Sequence, residues 1–264
     1  MNANLILLIP RREHGWRMGL GNMLAKELSS WWRTRRWWVQ CLLALFLLNG
    51  IIALNLKDTS VQNTVQVFLM ISALCIPFTA INLGQDSILG ERHSGTAAWV
   101  LSKPLRRPAY ILSKVLAHGL GVLVAWIVIP GAIAYFQFTS YIGTLTPLGF
   151  AGAMGLSYLN LFFYLTLALM LATFFDSRGP VLGISLTLAW SGPMQFIAQP
   201  MQKFTPWLPD LLPWKLLFFD GSNPLAGYLA QGQPLPTVTP IIATLLWSAL
   251  FVGVAIWRFR REEF

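Results

Sequence analysis

The chain has 264 residues, of which 55% are hydrophobic and only 11% charged, and its mean hydropathy is +0.58. Soluble domains carry about 25% charged residues, so this composition excludes a water-soluble globular domain and points to an integral membrane protein. The net charge of +9 would suit nucleic acid if it were spread over one surface, but the basic residues cluster in particular segments between apolar runs.

The first residues do not form a secretory signal. The apolar run Leu5–Ile9 is too short for an h-region of about 7–15 residues, and its basic residues follow it, so the N-terminus is expected to be retained. Next comes an amphipathic stretch, 18–36. Leu20, Leu24, Leu28 and Trp31 recur at helical spacing, while Lys26, Ser29, Ser30 and Arg33 fill the opposite face. Paired tryptophans, Trp31-Trp32 and Trp37-Trp38, frame Arg33, Arg35 and Arg36. Aromatic and basic residues on an amphipathic helix favour the headgroup plane. Two readings stand: an interfacial helix, or a plain basic anchor that sets topology.

A bilayer core of about 30 Å requires about 20 apolar residues in helical form. Six runs meet this length: 37–56, 65–83, 115–138, 150–175, 181–198 and 240–257. None contains Asp, Glu, Lys or Arg. Lipid offers the backbone no hydrogen-bond partner, so these runs are expected to be helices. The expected fold is therefore all-α, with six transmembrane helices in a single domain covering 1–264.

Sixteen of the nineteen lysines and arginines fall on one side of this scheme: in the N-terminal arm, in the segment between the second and third runs, at Arg178 and at the C-terminus. Lys57, Lys203 and Lys215 fall on the other. The positive-inside rule then places both termini and the 91–107 loop in the cytoplasm.

The 200–238 segment is rich in Leu, Trp and Phe but broken by Pro206, Pro209 and Pro213. It is too kinked to cross the bilayer twice, and is expected to form short re-entrant helices on the outer side.

Cys41 and Cys75 both lie in apolar runs and are expected to pack as free thiols. His14, His93 and His118 show no metal-ligand spacing. There is no phosphate-binding Gly-x-x-x-x-Gly-Lys-Ser/Thr loop, no Gly-x-Ser-x-Gly elbow and no His-Glu-x-x-His. With no carboxylate, lysine or arginine inside any run, neither an intramembrane enzyme nor an ion-coupled carrier has its usual means. The polar residues within the runs are neutral. Ser72, Asn82, Asn160, Ser191 and Gln195 could line a weakly polar path or make helix–helix hydrogen bonds. Asp86 is expected to mark the end of the second span, and His118 to be an interfacial or packing residue.

The segment from Glu91 to Lys114 is the most informative. Glu91 and Arg92 precede a Gly95-Thr96 break; a short helix carrying Trp99, Val100 and Leu101 follows, then Ser102, Lys103 and Pro104. Arg106, Arg107 and Lys114 complete the basic set. A loop that only fixes topology needs charge, but not a Gly-Thr break and an apolar patch.

This succession resembles the first cytoplasmic loop of the permease subunits of type-2 ATP-binding-cassette exporters. The motif runs Glu91-Arg92, Gly95-Thr96, Leu101-Ser102-Lys103-Pro104, Arg106-Arg107 and Lys114. Lys26-Glu27-Leu28 is similar to the Lys-Glu before that family's first span. One departure is Ala97-Ala98, where the family commonly has Leu-Glu. The resemblance implies a cytoplasmic coupling helix within 91–107 that docks on a separately encoded ATP-binding subunit. Its contact residues would be Glu91, Arg92, Gly95, Thr96, Trp99, Leu101, Ser102, Pro104, Arg106 and Arg107. It also implies a second permease copy or paralogue, ATP and Mg held by the partner subunit and none in this chain, no enzymatic activity in this chain, and a place in the bacterial inner membrane. The neutral path residues suit an amphiphilic or neutral substrate. A non-transporting membrane scaffold that recruits a cytoplasmic protein is the alternative.

Overall fold

The structure, a computed structural model, describes residues 15–55, 60–96, 100, 105–141, 143–194, 200, 203–218 and 223–261. Among them there are helices and no strands. A 3-10 turn, Gly15–Arg17, leads into α1, Leu20–Arg33. Helix α2 spans Arg36–Leu54, α3 Val61–His93, α4 Arg107–Tyr141 and α5 Pro147–Phe174. Helix α6 is Arg178–Met194. The short helices α7, Leu208–Leu211, α8, Trp214–Leu217, and α9, Leu225–Ala230, precede α10, Thr239–Arg260.

Among the described residues five helices, α2, α3, α4, α5 and α10, are long and apolar enough to cross a membrane. Helix α6 has 17 described residues, and the rest of the expected fifth run, 195–198, lies outside the described residues.

Two boundaries differ from those expected by more than two helical turns. Helix α3 does not stop at Leu83: it continues through Asp86 and ends at His93. Helix α4 begins at Arg107, well before Val115, with Pro108 in its first turn, where a missing N–H costs nothing. The reason is the same at both ends. The sequence between Leu83 and His93 contains no helix breaker except Gly84 and Gly90, so the helix persists past the point where hydropathy falls. At about 1.5 Å per residue, the 33 residues of α3 extend roughly 50 Å, beyond a hydrocarbon core of about 30 Å. Charged ends can therefore project past the lipid without leaving the helix.

Helix α5 is the centre of the bundle. It packs along α3 and α10, and α9 covers its first turns. Its polar Ser157 and Thr166 bond back to their own helix, so they do not need partners in lipid or water. Helix α6 is held to α3 by Trp190 Nε1, which donates to Leu74 O at 3.2 Å. Trp214 Nε1 ties α8 to α6 by donating to Leu188 O at 2.8 Å.

Helices α2 and α4 each contain a π-helical turn, Leu45–Gly50 and Leu123–Val128. A π turn, and a proline such as Pro130 one turn on, free backbone carbonyls. Asn49 and Gln137 each take up one such carbonyl. Asn49 Nδ2 donates to Pro130 O at 3.0 Å and to Gln137 Oε1 at 3.2 Å, and Gln137 Nε2 donates back to Asn49 O. This polar lock between α2 and α4 lies in otherwise apolar surroundings.

Candidate functional site at the basic end of the bundle

Helix α1 packs on α4, but not through the leucine stripe alone. Met23 and Trp31 are buried while Leu24 and Leu28 are only half-buried. Glu27 lies between Met23 and Trp31 at i+4 spacing, so the packed face carries a carboxylate. Trp31 meets the His118 ring edge-on at 5.7 Å.

That carboxylate belongs to a charge cluster that joins three helices. Glu91, in the last turn of α3, is its hub. Lys26 Nζ donates to Glu91 Oε1 at 3.0 Å. Tyr110 OH donates to Glu91 Oε2 at 2.6 Å, and Lys114 Nζ lies 3.1 Å from the same oxygen. Lys114 and Lys26 each lie 3.5 Å from Glu27 Oε1. The Lys114 side chain is only 1% exposed, against 10% for Glu27, 18% for Glu91 and 49% for Lys26. A lysine so buried must be paired to stay charged, and here it faces two carboxylates. Burial works against the charged form of Lys26, but the hydrogen bond and charge of Glu91, with Glu27 behind, raise its pKa overall.

Lys114 is thus not the exposed surface cation that its place in the basic segment suggests. It is an interior residue of α4, held between α1 and α3. Its ammonium also sits 4.8 Å above the Tyr110 ring, a cation–π geometry, and Tyr110 stacks on Phe259 of α10 at 4.9 Å.

Neighbouring side chains tie in the remaining helix ends. Arg107 Nη1 donates to Phe259 O at 2.8 Å and Arg260 O at 3.0 Å, capping the last carbonyls of α10. Arg92 Nη1 donates to Ala172 O and Phe175 O at the end of α5 and to Asp176 Oδ1 at 2.9 Å. His93 Nε2 donates to Asp176 O at 2.9 Å. A cation at a helix C-terminus satisfies carbonyls that the helix itself leaves open. Asp86, inside α3, pairs with Arg178 of α6 at 2.5 Å.

The expected 91–107 loop is therefore anchored at both ends. At its start, Glu91 and Arg92 are fixed as described, and Ser94 N donates to Gly90 O as α3 closes. Gly95 has φ 70°, a left-handed conformation that glycine adopts without strain. Thr96 Oγ1 donates to Glu91 O at 3.3 Å. Thr96 and Val100 are helical and Val100 is buried. Trp99, Leu101, Ser102 and Pro104 lie outside the described residues. At the return, Arg106 N donates to Met18 O at 3.1 Å, and the Arg106 side chain is exposed.

The four described path residues lie on three helices, α3, α5 and α6. Ser72 is buried in α3, with no hydrogen-bond partner for its Oγ among the described residues. Asn82 bonds to Phe78 O one turn back on the same helix. Asn160 is buried in α5, and Ser191 bonds to Leu188 O within α6. Gln195 lies outside the described residues. None of the four described residues lines the clefts found between α4 and α5 or around the charge cluster. Among the described residues no group of His, Cys, Asp and Glu is placed to hold a metal.

The sequence carried a signal for Tyr110 that patterning of apolar runs passes over: it stands four residues before Lys114, on the same helical face. Asn49 and Gln137 carried none, because their partnership depends on how α2 packs against α4.

The chain matches the family described as "ABC-2 family transporter protein" over residues 22–264. It is 27% identical over 267 residues to a "Probable ABC transporter permease protein NosY" of Stutzerimonas stutzeri, covering 89% of this chain and 93% of that protein. It is 29% identical over 259 residues to the protein of the same description from Pseudomonas aeruginosa, covering 88% of this chain and 90% of that one.

Proposed function

We propose, from the premise that the chain belongs to the ABC-2 transporter family, that the 91–107 segment is the coupling element through which a separate ATP-binding subunit drives this permease. The family membership itself makes the chain a permease subunit, with ATP hydrolysis in its partner. The observation that carries the coupling reading is the Glu91 cluster. It joins the exit of α3, the entry of α4 and helix α1 through charged groups. A push on the loop therefore moves three helices together rather than bending one linker. Arg92 and Arg107 extend the linkage to α5 and α10.

In this reading the basic end faces the cytoplasm, in the bacterial inner membrane, with both termini there. Helix α6 completes a set of six spans, α7–α9 dip into the outer leaflet, and α1 lies along the inner one. The ATP-binding subunit holds ATP and Mg; two permease chains, identical or paralogous, form the transporter. The substrate is amphiphilic or neutral and leaves the cell, since the spans offer only neutral polar groups such as Ser72, Asn82, Asn160, Ser191 and Gln195.

The test is co-purification from membranes of the chain with its ATP-binding subunit, for wild type and Gly95→Pro. Proline holds φ near −65°, against 70° at this position. The variant should insert and fold but lose stimulation of the partner's ATPase by about tenfold, the scale of a 1–3 kcal/mol coupling. Wild-type stimulation in Gly95→Pro would refute the coupling role. A chain that never brings down an ATP-binding subunit would leave only a membrane scaffold.

A further inference from the structure

A cleft of about 280 Å³ opens beside the charge cluster, lined from α1, α2, α3 and α4. Its lining holds three carboxylates, Glu27, Asp86 and Glu91, and three cations, Lys26, Lys114 and Arg36. The carboxylates are all engaged: Glu91 and Glu27 by the two lysines, and Asp86 by Arg178. Arg36 has no acidic partner among the described residues, so the cleft keeps one guanidinium in excess. Ser30 adds an exposed hydroxyl to the same wall. His118 lines the cleft, is 8% exposed, and its Nδ1 has no hydrogen-bond partner among the described residues. A buried ring nitrogen left without a partner is costly, a cost that a ligand atom reaching it would remove.

We infer that this cleft binds the phosphodiester of a phospholipid from the adjacent leaflet. The chemistry asks for an anion with several acceptor oxygens. Arg36 supplies a forked guanidinium suited to phosphate, while Ser30 and His118 supply single donors. The source is indicated by what surrounds the cleft. Beyond Arg36, α2 exposes the apolar side chains Trp38, Val39, Leu42, Leu43 and Phe46, and before Leu83 on α3 stands exposed Phe78. The polar cleft therefore caps an apolar surface suited to acyl chains. Trp32 is also exposed, and its ring lies 5.6 Å from that of Trp37; tryptophans concentrate at the headgroup level of a bilayer. A lipid held here wedges between the α1–α2 turn and α3, beside the Glu91 hub.

The test is native mass spectrometry of the purified chain in detergent, titrated separately with dimyristoyl phosphatidylglycerol, dimyristoylglycerol and inorganic phosphate. One phosphatidylglycerol should bind per chain, and Arg36→Gln should weaken it about tenfold or more, as expected for loss of a charged hydrogen-bond pair. His118→Phe, which keeps the packing on Trp31, should weaken it as well. Arg36 is exposed, so its variant should melt like wild type, which separates lost binding from lost fold. Equal binding of dimyristoylglycerol would overturn the inference, because phosphate would then be dispensable. So would an Arg36→Gln affinity within about twofold of wild type, or inorganic phosphate binding as tightly as the lipid, which would make the cleft a free-anion site.

Discussion

Lys114→Met removes the buried ammonium and keeps the unbranched shape of the side chain. Glu27 and Glu91, 10% and 18% exposed, would then share only Lys26, which is 49% exposed. Breaking a buried pair on one side costs about 3–5 kcal/mol. The lower end applies, because Lys26 and Tyr110 still hold Glu91. For a chain of this size, about 3 kcal/mol corresponds to a fall in melting temperature of roughly 6–12 °C. The assay is thermal melting of the detergent-solubilised protein, read from the monodisperse size-exclusion peak after heating. The double variant Lys114→Met/Glu27→Gln removes a charge of each sign and leaves Lys26, Tyr110 and Glu91 mutually satisfied. It should therefore melt above the single variant, a non-additivity that marks direct coupling. A single variant that melts within about 2 °C of wild type, with a double variant no better, would refute the view that Lys114 is a charged keystone.

Gly121→Ala tests the seat of α1. A Cβ there would fall 2.2 Å from the Trp31 ring, so the ring must shift at a cost of about 1–3 kcal/mol, and tryptophan fluorescence should report greater exposure to a soluble quencher; an unchanged spectrum and melt would show that α1 is not seated there. Arg92→Ala should cost about 1–2 kcal/mol by uncapping α5, whereas Asp176→Ala should stay within about 0.5 kcal/mol, because its side chain is 90% exposed and exposed pairs contribute little. Equal melts for these two variants would assign the stabilisation to the ion pair rather than to the cap.

The charge cluster and the loop are linked by geometry. The same Glu91 that neutralises Lys114 ends the helix that leads into the loop. In the proposed coupling role the loop needs rigid connections to what it moves, and two ion pairs with a phenolic hydrogen bond would supply them. The Arg92 and Arg107 caps reach α5 and α10 through backbone carbonyls rather than side chains, so this part of the linkage tolerates sequence change in those helices.

The sequence by itself determined the class of the protein and the location of its helices. Apolar runs of about 20 residues must be helical in lipid, and five of the six runs expected are helices long enough to cross. It also marked the segment around Glu91, because a glycine break and a cluster of charges stand out between such runs. Hydropathy could not place the helix ends. It falls at Leu83 and rises again at Val115, yet α3 continues to His93 and α4 starts at Arg107, since a helix ends where the backbone is broken and not where the side chains become polar. Nor could it distinguish Lys114 from an ordinary surface lysine. Its burial depends on Glu27, 87 residues away, and on Glu91, and only the packing of α1 across α4 brings the three together. The same is true of the Asn49–Gln137 lock between α2 and α4. Charge and periodicity are local properties that one segment carries alone; which charge meets which carboxylate is a property of the assembled bundle.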